Sequence, residues 1–182
     1  LQNNANWSGT RAVVLGCGGS ARAVVAGLQD LNPSDITIVG RPAETLHPFC
    51  NDLQQGRPAN SVLLQPLLDT DPHLQTRIQQ ADLVVNTTPV GMSSHQPDRG
   101  PALPLGVDIW DKLNAQTVLY DLIYTPRPTP WLERGERLGC RTYDGLEMLV
   151  QQGAAALRRW SGIDEVPVDA MREAALKNLS RS

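Results

Sequence analysis

The chain reads as an α/β protein built on a doubly wound parallel sheet of about six strands, with helices on both faces. Two observations predict this. Short apolar runs alternate with longer helical stretches along most of the 182 residues, the rhythm that yields parallel strands joined by crossover helices. The first apolar run also passes straight into Gly16-Cys17-Gly18-Gly19-Ser20-Ala21, which fits G-x-G-x-x-G/A at a strand-to-helix turn and marks a dinucleotide-binding, Rossmann-type fold. Each position has a steric reason. Gly16 allows the tight exit from the strand, Gly18 lets the backbone approach a phosphate, and Ala21 keeps the new helix close to the sheet. The amides of Gly19, Ser20 and Ala21 at the helix start meet phosphate charge with the positive end of the dipole.

The elements follow in order. Arg11 to Leu15 is the first strand, and a helix from about Gly19 to Leu31 ends at the breaker Asn32-Pro33-Ser34. Asp35 to Val39 forms the second strand; the next helix covers roughly Pro42 to Gln55, with Pro42 in its first turn. Val62 to Gln65 is a short third strand, Pro72 to Gln80 a weaker helix, and Asp82 to Asn86 the fourth strand. The stretch from Pro89 to Pro130 holds seven of the fourteen prolines, so much of it is ordered loop; within it Thr117 to Leu122 reads as the fifth strand. A helix from about Pro130 to Leu138 stops at Gly139, Cys140 to Tyr143 is the sixth strand, Gly145 to Trp160 a long helix, and Val168 to Leu179 a last amphipathic one. Residues 1–182 form one domain on this reading, with the C-terminal helices packing back on the cleft side.

Composition narrows the function. No run approaches the ~18 apolar residues that span a bilayer, and a net charge of −3 with scattered basic residues disfavours nucleic acid as the main partner. Cys17, Cys50 and Cys140 are odd in number and lack metal or redox spacing, so they read as reduced thiols of a cytoplasmic protein, and no metal site is expected. The opening Leu1-Gln2-Asn3-Asn4 has no initiator Met and no signal or transit character, which suggests a start inside a longer protein.

Other segments carry chemistry. An NAD-specific fold usually places an acid ~20 residues past the glycines to accept from the ribose 2′-hydroxyl. Here the second strand ends Val39-Gly40-Arg41-Pro42. Arg41 offers a planar cation for a 2′-phosphate, which favours NADP over NAD, the alternative being a solvated surface arginine. Missing acid at this place also argues against a methyltransferase. Asn86-Thr87-Thr88-Pro89-Val90-Gly91-Met92 leaves the fourth strand at the crevice of a doubly wound sheet, where short polar groups meet ribose or nicotinamide, or simply close a turn. Tyr120-Asp121-Leu122-Ile123-Tyr124 leaves the fifth strand toward the same edge; Tyr124 either meets a substrate polar group or packs half-buried. In Gly145-Leu146-Glu147-Met148-Leu149-Val150-Gln151-Gln152, Met148 and Gln152 share one helix face. Core packing is the ordinary role of such a Met, while a Gln on a buried face requires a partner.

Together these segments resemble the C-terminal, cofactor-binding half of shikimate dehydrogenases, and the resemblance spans nearly the whole chain. It implies reversible hydride transfer between NADP(H) and the shikimate/3-dehydroshikimate pair, in aromatic amino-acid biosynthesis, by a monomer or homodimer. By resemblance, Gly16, Gly18, Gly19, Ser20 and Ala21 hold the pyrophosphate and Arg41 the 2′-phosphate. Asn86, Thr88, Leu122, Gly145 and Met148 complete the cofactor site, and Tyr124 and Gln152 face the substrate. The family usually shows Asn-Arg-Thr after the second strand and a further Arg beyond it; here Gly40-Arg41-Pro42 and then Thr45 leave one Arg and predict weaker discrimination between NADP and NAD. The family's proton-transferring Lys–Asp pair lies in an N-terminal substrate domain outside these residues, which the segment from about 145 to 182 would contact. Lys112 and Lys177 are the only lysines, His47, His73 and His95 read as surface residues, and no catalytic residue is assigned. The alternatives are a quinate/shikimate dehydrogenase paralogue or a non-catalytic NADP-binding module.

Overall fold

The computed structural model describes residues 7–55, 58, 61–92 and 103–179. Strands β1 (Arg11–Leu15), β2 (Asp35–Gly40), β3 (Leu64–Leu68), β4 (Leu83–Asn86), β5 (Val118–Asp121) and β6 (Arg141–Tyr143) alternate with helices α1 (Gly19–Gln29), α2 (Ala43–Gln54), α3 (Leu74–Gln79), α4 (Val107–Trp110), α5 (Pro130–Arg137), α6 (Leu146–Ser161) and α7 (Val168–Leu179). The strands form one parallel sheet in the order β3-β2-β1-β4-β5-β6. The order reverses between β1 and β4, and a crevice opens beyond the strand ends at such a point. Among the described residues no helix is long and apolar enough to cross a membrane.

Strand side chains alternate between two cores. Ala12, Val14, Ile36, Ile38 and Val85 pack under α1 and α2, meeting Val25, Leu28, Leu46 and Phe49. Val13, Leu15, Val39, Val84 and Leu119 face the other side, against Leu74, Ile78, Trp110, Trp131 and Leu132. Burial on both faces explains why these strands are continuous apolar runs. Asn32, at φ 54°, makes the left-handed bend after α1, a conformation that asparagine tolerates.

Two elements differ from the sequence reading. The third strand lies at Leu64–Leu68 instead of Val62 to Gln65, and it contains Pro66. It is the edge strand, paired among the described residues to β2 alone, so a missing backbone donor is tolerated. Within the proline-rich stretch, α4 brings Trp110 into the second core, its ring centroid 5.3 Å from that of Trp131. This contact joins residues distant in sequence, so no local pattern announces it. Helix α7 forms where expected, yet none of its residues is buried. It rests on α6, with Met171 against Gly153 and Arg172 paired to Glu147.

Thr37 sits in the middle of β2 at 1% exposure, and its hydroxyl has no hydrogen-bond partner among the described residues. An unpaired buried hydroxyl costs about 1 kcal/mol or more, and valine keeps the β-branched shape. Thr37→Val is expected to raise stability by about 1 kcal/mol, read as a higher midpoint in urea at unchanged m-value.

Candidate cofactor and substrate site

Register brings the ends of β1, β4 and β5 into one row: Leu15 pairs with Asn86, and Asn86 with Asp121. The turn after β1 is built around Gly16. Its φ of +105° is closed to most side chains, and a Cβ there would lie 2.6 Å from the Thr87 hydroxyl and 3.3 Å from the Thr88 methyl. Thr87 locks this contact by donating both its N–H (3.0 Å) and its hydroxyl (2.6 Å) to the Leu15 carbonyl. Glycine is therefore required at position 16 both for conformation and for space.

Beyond it, Gly18 and Gly19 have nothing within 4 Å of a Cβ position, so both stand in open space. Gly18 caps α1 in an extended conformation, with no side-chain cap and no acid in the first turn; the helix start presents uncompensated positive potential. Ser20 is exposed, whereas Ala21 is fully buried and sets α1 close to the sheet.

Two grooves flank this turn. One, of about 640 Å³, is lined by Gly16, Cys17, Gly40, Arg41, Asp69 and Thr88, among others. The other, of about 730 Å³, runs between α1 and α6 past Ser20, Tyr120, Leu122, Tyr124, Met148 and Gln152. Of the residues singled out in the sequence, Gly16, Arg41 and Thr88 thus share the first groove, and Ser20, Leu122, Tyr124, Met148 and Gln152 the second. Thr88 and Met148, both assigned to the cofactor site by the resemblance, line different grooves. His47 and His73 are exposed, and His95 falls outside the described residues.

Asn86 requires a correction. It is fully buried, and its amide is spent inside the protein. Its nitrogen donates to Asp121 Oδ1 at 2.9 Å and to the Val90 carbonyl at 3.4 Å; its oxygen accepts from the Thr88 N–H at 3.0 Å and hydroxyl at 2.7 Å. Asn86 shapes the Thr88 turn and has no surface with which to touch a ligand.

Behind it stands a residue the sequence reading quoted but gave no role. Asp121 is fully buried, its Oδ1 also accepting from the Ile123 N–H at 3.1 Å and its Oδ2 from the Thr129 hydroxyl at 2.8 Å. Burial pushes its carboxyl up to about 6, against the opposing pull of the Thr129, Ile123 and Asn86 hydrogen bonds. The only sequence signal was an acid at the end of an apolar strand.

Gly145 opens the helix that supplies Met148, Leu149 and Gln152 to the second groove. A Cβ there would lie 1.9 Å from the Leu122 carbonyl oxygen, so glycine lets α6 begin directly against the end of β5. Asp144 fixes the same start by accepting from the Leu146 N–H at 3.1 Å while paired to Arg127. The phenol of Tyr120, which lines this groove, is held above its ordinary value, by burial first and then by Asp144 and Glu147.

These features define a Rossmann-like α/β domain whose ligand crevice opens at the reversal of strand order. A family model described as "Shikimate 5'-dehydrogenase C-terminal domain" matches residues 145–176. The chain is 37% identical over 198 residues to a shikimate dehydrogenase (NADP(+)) from Prochlorococcus marinus, covering 98% of the chain and 67% of that relative. It is 44% identical over 182 residues to one from Synechocystis sp., covering 100% of the chain and 60% of the relative. A crystal structure of shikimate 5-dehydrogenase from Listeria monocytogenes, in complex with shikimate and NAD, superposes with a TM-score of 0.78 at 26% identity, over 92% of this chain and 56% of that one. The chain belongs to the shikimate dehydrogenase family, and it spans about three fifths to two thirds of the length of those two curated relatives.

The Asp121 cluster carries two expected outcomes. Asp121→Ala strands the Asn86 amide and the Ile123 N–H in the core and should cost about 3 kcal/mol; Asp121→Asn keeps an acceptor for both and should cost less than half as much in the same denaturation series. The folded carboxyl binds its proton more tightly than the unfolded one. Its contribution is therefore fully present below about pH 4 and falls away as pH rises through about 6. Stability of the parent chain should accordingly drop by about 2–3 kcal/mol relative to Asp121→Asn across that window, measured by urea titrations at stepped pH.

Proposed function

We propose that this chain is the NADP-binding half of a shikimate dehydrogenase, an oxidoreductase interconverting shikimate and 3-dehydroshikimate. The observation that carries the reading is the open Gly18–Gly19 backbone at the start of α1, flanked by one groove on each side. A dinucleotide needs that layout: a phosphate cradle in the middle and room for a nucleoside at either end. The fit is good, because a side chain could have filled the cradle and none does.

In this reading the backbone of Gly16, Gly18, Gly19 and Ser20 holds the pyrophosphate, with Ala21 as spacer. Arg41, its side chain 80% exposed at the rim of the first groove, binds the 2′-phosphate. Thr88, oriented by Asn86, meets the ribose side. Leu122, Met148 and the Gly145 backbone form the wall of the nicotinamide groove. Tyr124 and Gln152, at the same groove, orient the substrate's hydroxyl groups. NADP(H), when bound, supplies the hydride acceptor or donor for the C–OH/C=O interconversion. The accompanying proton needs a positioned carrier, and the proposal assigns it to a part of the whole protein beyond these residues. Helices α6 and α7 then form the face toward that part, consistent with Trp160, Ile163, Leu157 and Leu176 standing exposed there. A cytoplasmic location belongs to the same reading and rests on the cysteine pattern.

Four measurements test this. Titration of the chain with NADP+ should give a saturable isotherm, and no heat with either NADP+ or NAD+ would refute the reading. Arg41→Ala should weaken NADP+ about tenfold and NAD+ less than twofold, the loss of one charge-assisted contact to phosphate. The chain alone should turn over shikimate negligibly, and rapid NADPH formation by it would contradict the assignment of the proton carrier. Shikimate and quinate offered to the complete protein separate the proposed substrate from its closest alternative.

A further inference from the structure

We infer that Asp69 sets the balance between a nicotinamide dinucleotide bearing a 2′-phosphate and one with a free 2′-hydroxyl, because its carboxylate and the Arg41 guanidinium share the adenosine groove. This rests on the reading of that groove given above. The tip of β2 carries no acid, but the neighbouring strand supplies one. Register pairs Gly40 with Leu68, so Asp69 emerges beside Gly40, and its N–H donates to the Gly40 carbonyl at 3.4 Å. The side chain is 25% exposed and lines the same groove as Gly16, Gly40 and Thr88. Its Oδ2 lies 3.7 Å from Arg41 Nη1, and among the described residues it is the carboxylate paired with Arg41.

The two side chains act in opposite directions on a 2′ substituent. A phosphate monoester carries close to two negative charges at neutral pH. It is drawn to the guanidinium and repelled by the carboxylate, and it must also compete with Asp69 for Arg41. A 2′-hydroxyl meets no such repulsion and has in Asp69 the acceptor that NAD-specific folds place at the end of β2. An exposed ion pair at 3.7 Å is weak, so Arg41 can turn from Asp69 to a phosphate at small cost. Repulsion from the fixed carboxylate then remains and holds the discrimination down.

The test is a set of binding constants for NADP+ and NAD+, measured by calorimetry on the full chain at low salt, for the parent and Asp69→Asn. The substitution keeps shape and hydrogen bonding and removes the charge. Expected are a gain in NADP+ affinity of about fivefold and a loss in NAD+ affinity of about threefold, both within the range of a single exposed charge contact. The NADP+ gain should shrink when salt rises from about 0.05 to 0.5 M, because screening acts on charge repulsion and not on shape. If both cofactors bind the parent chain and the ratio of their constants stays within twofold in Asp69→Asn, the role assigned to Asp69 is wrong while the dinucleotide site stands. If neither binds the parent chain, the groove has been misread and this inference falls with it.

Discussion

At the edge where β1, β4 and β5 end, two turns occupy space that only glycine leaves free. Gly16 lies under Thr87 and Thr88, and Gly145 lies under the Leu122 carbonyl. These contacts have little freedom, because the atoms opposing the absent Cβ are backbone or hydrogen-bonded side chain. They fix how the phosphate turn, the Thr88 turn and the start of α6 sit relative to one another. Each groove takes part of its wall from one of these turns: Gly16 and Cys17 line the first, and Met148 and Leu149, just inside the helix that Gly145 opens, line the second.

The polar interior behind this edge serves the same end. Asp121, Asn86, Thr88 and Thr129 form one chain of hydrogen bonds from a buried carboxylate to the rim. Thr129 also accepts from the Leu132 N–H at the first turn of α5, so the network ties the cleft to a helix on the second face. A buried carboxylate is unfavourable in itself, and its three donors offset part of the desolvation. What the network gains is a turn after β4 with one shape, since Asn86 holds both the N–H and the hydroxyl of Thr88.

Charge is arranged differently at the two grooves. Around the first, the start of α1 and Arg41 offer positive potential, tempered by Asp69. The second has mostly apolar walls, with polar groups at Tyr124 and Gln152 among others. The C-terminal helices extend this second wall. Helix α6 is anchored at its start by Gly145 and Asp144, whereas α7 packs chiefly on α6 among the described elements and carries its apolar side chains partly in the open.

Local chemistry was legible in the chain itself. The glycine turn, the strand–helix alternation, the acid-free end of β2 and the long helix after Gly145 depend on residues adjacent in sequence, and each was placed within a few positions. The rest depends on neighbours brought together by the sheet. Asp69 lies 28 positions from Arg41 by number and meets it only because β2 and β3 pair in one register. Asp121 is 35 positions from Asn86, and no local pattern separates a strand-end acid that is buried from one that is solvated. Pro66 is admitted to a strand because β3 lies at the edge, and Trp110 finds Trp131 across a proline-rich stretch without periodicity. Sequence by itself determined the fold class and the glycine turn after β1, because dihedral preference and side-chain period act over a few residues. Tertiary structure alone decided which polar groups line the grooves and which face each other, because that is settled by register between distant strands.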